Sequence, residues 1–168
     1  QGTINGYGER SGNANLCSVI PNLQLKQDYS CVPESSLQRL FSLSSFVSEL
    51  ANVGHDTRMP YTGRSAFAHK GGVHVSAVMK NEATYEHIKP EAVGNKRRVL
   101  VSDLSGKSNV LYKSEELGID LQKTDGSLPD IVERLKTLEN EGFQFEAAEA
   151  SFELLVKKMA GPFSNFFE

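Results

Sequence analysis

Apolar residues at helical spacing in the carboxyl-terminal third most constrain the fold. Between Ser127 and Gly142 they are Leu128, Ile131, Val132, Leu135 and Leu138. Residues three and four apart share one face of a helix, so this stripe predicts an amphipathic helix that packs against other elements. Ser127 with Asp130 resembles a capping box at its start, and Gly142 is typical of a helix end.

The same spacing predicts helices in most of the remaining chain. They are expected over residues 13–20 with Pro21 as the stop, over 33–54, 72–80 and 106–117, and over 146–159. The inward residues are expected to be Leu37, Leu40, Phe41, Phe46, Val47 and Leu50 in the second helix, and Ala148, Phe152, Leu155, Val156 and Met159 in the last. Glu153 and Lys157 would face each other across one turn of that last helix.

Strand signals are few, so the fold class is mainly α with minor β. "RRVLVSD" at 97–103 alternates enough for a short strand, or leads into the next helix. Residues 1–4 resemble the end of a strand before the glycine-rich stretch "NGYGERSGNANL" at 5–16. We therefore expect a piece of a longer protein, with "FSNFFE" at 163–168 as a tether to a further domain.

Composition excludes several functional classes. The 168 residues are 39% hydrophobic and 23% charged, and the net charge of −3 gives no electrostatic reason to bind nucleic acid or an anionic membrane. No apolar run approaches the roughly 18 residues that span a bilayer. Cys17 and Cys31 have no disulfide-framework spacing, so a reduced, cytoplasmic setting is expected.

Two glycine-containing stretches imitate nucleotide-binding loops without matching them. Gly6, Gly8 and Gly12 are spaced G-x-G-x-x-x-G, one residue too long for the dinucleotide fingerprint. "SGKSN" at 105–109 has Val101 where the first glycine of a phosphate-binding loop would stand. Neither stretch predicts a nucleotide site by itself.

Three side chains have both a structural and a functional interpretation. Asn13 precedes an apolar run, where it could cap a helix, or it could be a neutral oxygen ligand at the end of the loop. His74 follows two glycines and could be structural or could transfer protons, and Tyr85 could be an ordinary surface aromatic. The four histidines form no H-x-H pair and no H-E-x-x-H motif.

Three long stretches together resemble one enzyme family. They are "QGTINGYGERSGNANL" at 1–16, "GRSAFAHKGGVHVSAVMKNEATYEHIKPEAVGN" at 63–95 and "VLVSDLSGKSNVLYKSEELGI" at 99–119. The chain resembles the isopropylmalate, homocitrate and citramalate synthases from residue 1 to about residue 159. "GNANLCSVIPNLQLK" and "RSAFAHKGGVHVSAV" are closest in wording to the citramalate synthase branch.

The resemblance implies a fold and a division of the chain. These synthases carry a catalytic TIM barrel followed by helical subdomains. Residues 1–26 would be the last barrel strand and helix, and residues 27–54 a linker helix. Residues 55–95 would form lid subdomain I, and residues 96–168 helical subdomain II with the tether to a missing regulatory domain.

The resemblance also implies site residues. Asn13 matches the asparagine that ligates a divalent metal (Mg, Mn or Zn), and His74 with Tyr85 matches a proton-handling pair near the acetyl-CoA thioester. Asn5, Glu9, Arg10 and Asn81 would contact the substrate or acetyl-CoA, with Glu9 and Arg10 also bracing the loop. The family's early aspartate and H-x-H metal ligands have no counterpart here.

The implied activity is that of an acyltransferase. It condenses acetyl-CoA with a 2-oxoacid, most closely pyruvate to give citramalate in branched-chain amino-acid biosynthesis, in a homodimer that exchanges lids between subunits. 2-Isopropylmalate synthase and homocitrate synthase are the alternatives within the family, and a non-catalytic dimerisation or lid module is the alternative outside it. The segment alone is expected to retain no metal and to be inactive.

Overall fold

The chain is mainly helical, as the sequence predicts. A computed structural model describes residues 1–102, 105–121 and 127–160. Within these ranges the elements are α1 (Leu16–Lys26), α2 (Glu34–Leu37), α3 (Leu40–Leu50), β1 (Ala68–His69), α4 (Gly72–Lys80), β2 (Arg98–Val99), α5 (Lys107–Glu116), α6 (Ser127–Asn140) and α7 (Glu149–Ala160). Short 3-10 turns lie at Ile4–Gly6, Glu82–Thr84 and Pro90–Val93. None of the helices in the described ranges is long and apolar enough to cross a membrane.

The chain divides into two compact units. The first contains Gln1–Ala68 and Glu86–Arg98, and the second contains His69–Tyr85 and the chain from Val99 onward. The strands β1 and β2 pair with each other. The domain boundaries predicted at residues 26, 54 and 95 stay a prediction.

The first unit packs α1, α2 and α3 with the chain that follows them. Its buried cluster consists of Cys17, Leu37, Leu40, Met59, Tyr61, Phe67 and Val93. The Asn95 amide ties the long loop after α3 to this core, because its Nδ2 donates to the carbonyls of Tyr61 and Gly63, both at 2.9 Å. Arg97 donates to both carboxylate oxygens of buried Glu86 at 2.7 and 2.6 Å.

Two predictions at the amino terminus are wrong. Residues 1–4 form no strand, and their only ladder contact among the described residues is a single parallel bridge from Thr3 to Asn15. Helix α1 does not stop at Pro21 but continues to Lys26. Proline removes one backbone donor. The helix continues because that single missing bond is outweighed by the complete burial of the Pro21 ring and by the intact turns that follow.

The helix predicted over residues 33–54 is two helices, and its predicted inward face is buried only in part, at Leu37 and Leu40. Pro33 is the N-cap of α2, which begins at Glu34, and α3 begins separately at Leu40. Besides Leu40, α3 buries Ser44 and Ser48, whereas Phe46 and Leu50 are 55% and 71% exposed. The polar side chains are inside because they bind the turn at residues 4–6.

The second unit is built on α4, α5, α6 and α7. Its buried cluster is Val101, Val110, Leu121, Ile131, Leu135, Phe145, Phe152 and Val156. Ile131 and Leu135 are fully buried, and Leu128, Val132 and Leu138 pack beside them, so the predicted stripe of α6 is confirmed. The side chain of Ser127 lies outside the described residues, and so do the predicted stop at residues 161–162 and the tether at 163–168.

The last helix begins three residues later than predicted. Helix α7 starts at Glu149, so Ala148 precedes it, and Ala147 has a left-handed φ of 66°. The buried side chains of Phe152 and Val156 and the Glu153–Lys157 ion pair are as predicted. Helices α4 and α5 also match their predicted ranges, with Gly118 at φ 74° after α5.

Helices α4 and α5 meet through backbone. A Cβ on Gly72 would lie 2.9 Å from the nitrogen and 3.0 Å from the Cα of Gly106, which is closer than packed atoms allow. The buried amide of Asn109 fixes the same junction, since its Nδ2 donates to the carbonyls of Lys70 (2.8 Å) and Leu100 (3.1 Å). Its Oδ1 accepts from the backbone N–H of Gly106 at 3.3 Å. The glycine contact and these hydrogen bonds together fix the distance between α4 and α5.

This spacing predicts unequal effects of two alanine substitutions. Gly72→Ala should lower the free energy of unfolding by about 1–3 kcal/mol, because the added methyl forces backbone apart. Gly106→Ala is the matched control, since a Cβ there meets only the Cα of Gly72 at 3.5 Å. Urea unfolding followed by circular dichroism measures both. Equal stability of the two variants would contradict the close contact.

The His87 ring predicts a pH dependence in the first unit. It packs on Tyr61 and Phe67 at centroid distances of 5.5 and 6.4 Å. Partial desolvation by these rings, and then the positive charge of Lys26, lower the pKa of His87 from its ordinary value of 6.5. As the pH falls, the unfolded chain is protonated first, so stability should decrease from pH 7.5 downward and level off below the folded-state pKa.

Urea unfolding at several pH values between about 5 and 7.5 checks this. His87→Gln should flatten the curve slightly, because the side chain remains largely exposed and its contribution is small. A curve as steep as that of the unaltered chain would show that other groups cause the pH dependence.

Candidate functional site

The glycine-rich loop is compact because two of its glycines have no room for a side chain. A Cβ on Gly8 would lie 2.0 Å from Nδ2 of Asn13, and one on Gly12 would lie 2.3 Å from the carbonyl oxygen of Gly6. Gly12 also has a φ of 85°, where a side chain is strained. The loop closes through the Asn13 N–H, which donates to the Gly6 carbonyl at 2.9 Å.

Asn13 is not the cap of α1. The cap is Asn15, whose Oδ1 accepts from the backbone N–H of Cys17 at 2.9 Å, so the capping interpretation of Asn13 is wrong. The helix starts later because Thr3 holds this segment extended: its N–H donates to the Ala14 carbonyl at 3.0 Å, and its carbonyl accepts from the Leu16 N–H at 2.9 Å. The Asn13 residue is exposed.

The side chain of Asn13 lies over the loop. Its Nδ2 donates to the carbonyl of Tyr7 at 3.2 Å, across the space that Gly8 leaves open. An amide held by its nitrogen keeps its oxygen available as an acceptor or ligand. The geometry is therefore compatible with a contact between Oδ1 and a metal ion or substrate.

Asn5 is buried in the first unit and its amide is fully engaged. Its Nδ2 donates to the Ser44 carbonyl at 2.8 Å and to Ser48 Oγ at 3.0 Å. Its Oδ1 accepts from Ser44 Oγ at 2.6 Å and from Cys17 Sγ at 3.5 Å. Asn5 has a φ of 60°, a conformation that asparagine tolerates better than most residues. These contacts fasten the beginning of the loop to α3.

Ser44 extends this polar network to a histidine. Because the Ser44 hydroxyl donates to Asn5, it accepts from His55 Nε2 at 2.9 Å, which fixes the proton on that nitrogen. Burial raises the pKa of the Cys17 thiol in the same cluster, so the thiol is a donor and not an anion.

Glu9 and Arg10 lie exposed at the tip of the loop. Arg10 has a φ of 57°, and in the described part of the chain neither side chain has an ion-pair partner. The predicted bracing of the loop by these two side chains is therefore not seen. Backbone contacts hold the tip instead, including the bond from the Gly12 N–H to the Glu9 carbonyl at 2.9 Å. Both charged groups remain accessible to a ligand.

The described residues do not fit a complete divalent-metal site. They contain no group of three or more His, Cys, Asp or Glu side chains that could hold a metal ion. Asn13 offers one neutral oxygen, whereas hard cations take six or more oxygen ligands. Asn13 alone therefore cannot form such a site.

In the second unit, His74 and Tyr85 come together. Their ring centroids are 4.3 Å apart with an interplanar angle of 31°, and both residues are exposed. His74 lies in the first turns of α4, and the chain reverses after that helix to return Tyr85 to it. An imidazole and a phenol in contact at a surface can both donate hydrogen bonds to one bound carbonyl group, and the imidazole can also take up a proton.

Asn81 makes the reversal that brings the two rings together. It ends α4, and its Oδ1 accepts from the backbone N–H of Ala83 at 3.1 Å. Its carbonyl accepts from the Thr84 hydroxyl at 2.8 Å. The exposed position of Asn81 leaves its amide nitrogen near solvent, so a ligand contact and this turn-forming role are compatible.

A cleft of about 730 Å³ in the second unit is lined by Val73 and Thr84, the chain neighbours of this pair. It is lined by Gly72, Val73, Ser76, Ala77, Lys80, Asn81, Thr84, Ser105, Gly106, Ser108 and Lys136. Of the residues singled out in the sequence as site candidates, only Asn81 is among them. Lys80 and Lys136 were missed because lysine is common on helix surfaces, and nothing in the spacing of positions 80 and 136 reveals that they share a cleft.

The predicted site residues therefore form two groups in different units. Asn5, Glu9, Arg10 and Asn13 belong to the first unit, and His74, Asn81 and Tyr85 belong to the second. The roles assigned to them stay predictions.

Comparison with known proteins agrees with the resemblance in the sequence. Residues 61–142, which include His74, Asn81 and Tyr85, match the family described as homocitrate synthase post-HMGL domain-like. Residues 61–142 thus belong to this described family, and the chain as a whole is similar to the isopropylmalate, homocitrate and citramalate synthases. The resemblance predicted from the sequence is confirmed.

Individual relatives place the chain within this family. The (R)-citramalate synthase of Aquifex aeolicus is 54% identical over 167 residues, and that of Geobacter sulfurreducens is 56% identical over 167 residues. Each alignment covers 99% of this chain and 32% of the relative. The 2-isopropylmalate synthase of Methanocaldococcus jannaschii is 35% identical over 94% of the chain and 31% of the relative. The chain thus spans about a third of the length of these family members.

The Asn5 network predicts how the loop responds to substitution. Asn5→Ala should lower the free energy of unfolding by about 1–3 kcal/mol, because it leaves buried hydroxyl groups without their partner. Ser44→Ala should also destabilise the chain. Ser42→Ala is its matched control, since Ser42 is exposed, and should change stability by less than about 0.5 kcal/mol. Urea unfolding compares the three, and an unchanged Asn5→Ala variant would refute the anchoring role.

Proposed function

We propose that this chain is part of a citramalate synthase, an acyltransferase that condenses acetyl-CoA with pyruvate. The observation that carries the proposal is the contact of His74 with Tyr85 on the surface of a segment that matches this family. The higher identity to (R)-citramalate synthases than to a 2-isopropylmalate synthase supports pyruvate over bulkier 2-oxoacids. Homocitrate synthase remains a further alternative within the family.

The proposed reaction joins two substrates and hydrolyses a thioester. A proton leaves the methyl group of acetyl-CoA, and that carbon forms a bond to the keto carbon of pyruvate. The keto oxygen takes up a proton and becomes a hydroxyl group. Water then cleaves the thioester, which releases free CoA thiol and makes the overall reaction favourable.

His74 and Tyr85 are suited to the thioester side of this reaction. Negative charge develops on the thioester oxygen when the methyl proton leaves, and donors already in place stabilise such charge. The phenol of Tyr85 can donate to that oxygen, while the His74 imidazole can carry a proton to or from it or the attacking water. Asn81 positions the pair through the turn that it caps.

The first unit would contribute side chains that contact pyruvate and the metal ion. Asn13 would offer its amide oxygen to the divalent metal (Mg, Mn or Zn), which in these enzymes supplies Lewis-acid polarisation of the oxoacid. Glu9 and Arg10 are exposed at the same loop and can contact substrate. Asn5 would act indirectly, since its amide is engaged by α3.

The proposed setting is a cytoplasmic homodimer in which lids are exchanged between subunits. The exposed apolar side chains of α3 support association: Leu43 is 40% exposed, Phe46 55% and Leu50 71%. Such a helix face favours contact with other protein surface. The same observation favours the second candidate function, a lid or dimerisation module that contributes no reacting group.

A chimera tests the proposed function. The matching segment of the Geobacter sulfurreducens (R)-citramalate synthase is replaced by this chain, and free thiol and citramalate are measured with acetyl-CoA and pyruvate. The chimera should be active. His74→Gln and Tyr85→Phe should each lower kcat by roughly a hundredfold or more, as expected for lost acid–base groups.

Tyr29→Phe is the matched control, because Tyr29 is 61% exposed in the first unit and should leave kcat unchanged. An active chimera whose kcat is insensitive to His74 and Tyr85 would favour the lid module. An inactive chimera that is folded and dimeric would contradict the proposed function.

A further inference from the structure

We propose that the cleft lined by α4, α5 and Lys136 binds the phosphate groups of the CoA thioester. The inference rests on the proposed function, since it names where one part of that substrate is held. It extends the site from the reacting thioester at His74 to the charged nucleotide end of the same molecule.

The charge of the cleft is the first support. Lys80 at the end of α4 and Lys136 in α6 both line it, and both are exposed. Across the described ranges neither ammonium group has a carboxylate partner, and no described lining residue is acidic. The whole chain has 21 acidic and 18 basic residues, so two lysines that have no carboxylate partner among the described residues differ from the average surface. Converging cations favour a multiply charged anion.

Neutral donors in the cleft add to the two lysines. Ser105 and Ser108 line it at the start of α5, and Ser76 lines the α4 side. The Ser105 hydroxyl accepts from the Ser102 N–H at 2.7 Å, a bond that uses its oxygen and not its proton. The positive end of the α5 dipole reinforces this preference for an anion but does not define the site.

The apolar part of the cleft fits the rest of the ligand. Val73 is 77% exposed at its rim, and Ala77 lies one turn further along α4. A CoA thioester combines phosphates with an uncharged, partly apolar arm that ends at the sulfur. From His74 to Lys80 the helix rises about 9 Å at 1.5 Å per residue, a distance that this flexible arm can span.

The cleft is not a phosphate-binding loop of the kind that "SGKSN" at 105–109 resembles in sequence. Val101, which stands where a phosphate-binding loop needs glycine, is 3% exposed and belongs to the apolar core. The backbone there cannot wrap around a phosphate. The positive charges of the cleft come instead from Lys80 in α4 and Lys136 in α6. This arrangement suits phosphate groups bound at the protein surface.

Binding by the unaltered chain tests the proposal. The probe is adenosine 3′,5′-bisphosphate, which carries phosphates of CoA without the thioester, and backbone amide NMR shifts locate and titrate it. Saturable shifts should appear at Lys80, Asn81, Ser105 and Gly106. Lys80→Gln combined with Lys136→Gln should weaken binding at least about tenfold, as expected for lost charged hydrogen bonds. Lys158→Gln, an exposed lysine outside the cleft, should not weaken it.

Three controls decide the outcome. Adenosine should not bind, and added salt should weaken the bisphosphate. Inorganic phosphate binding as tightly at the same residues would overturn the CoA assignment and indicate a site for free phosphate. Shifts elsewhere, or affinity unchanged by the double substitution, would overturn the site itself.

The chimera separates this inference from the proposed function. There the double lysine substitution should raise KM for acetyl-CoA about tenfold and leave kcat and the KM for pyruvate unchanged. An active chimera with an unchanged KM would refute the cleft alone. An inactive chimera that is folded and dimeric would refute the proposed function, even if the bisphosphate still bound to the cleft.

Discussion

The close backbone contact between Gly72 and Gly106 determines most of what is distinctive in the second unit. It sets the spacing of α4 and α5 at a value that no larger residue at position 72 permits. The buried amide of Asn109 satisfies three backbone groups around the same junction, so the spacing is held by directional bonds as well as by packing. The apolar core of α5, α6 and α7 supplies the stability on which this arrangement rests.

The cleft follows from that junction, whereas the pair of His74 and Tyr85 depends on the turn after α4. The cleft is lined by the two facing glycines and by residues on either side of them. The turn capped by Asn81 returns Tyr85 to the surface of α4, where it contacts His74 at 4.3 Å. The proposed proton-handling pair and the cleft that contains Lys80 thus each include residues of α4, a helix of nine residues. This order matches a substrate that has its reactive group at one end and its charge at the other.

The first unit uses polar contacts where helical periodicity suggests apolar ones. Asn5 occupies the buried face of α3 through Ser44 and Ser48, and this displaces Phe46 and Leu50 to the surface. Periodicity alone could not reveal the exchange, because the apolar face of an isolated helix is the one expected inside. In the same way, Thr3 holds the chain up to Leu16 extended, which moves the cap of α1 to Asn15.

The sequence by itself determined the mainly helical class, the ranges of α4 and α5, the buried stripe of α6 and the family. These depend on local spacing, on glycine stops and on long specific motifs, all of which are properties of neighbouring residues. Only the tertiary structure decided which face of α3 is buried, that Pro21 lies inside a helix, and that Lys80 and Lys136 line one cleft. Those outcomes depend on contacts between residues distant in the chain, and such contacts leave no periodic trace in the sequence.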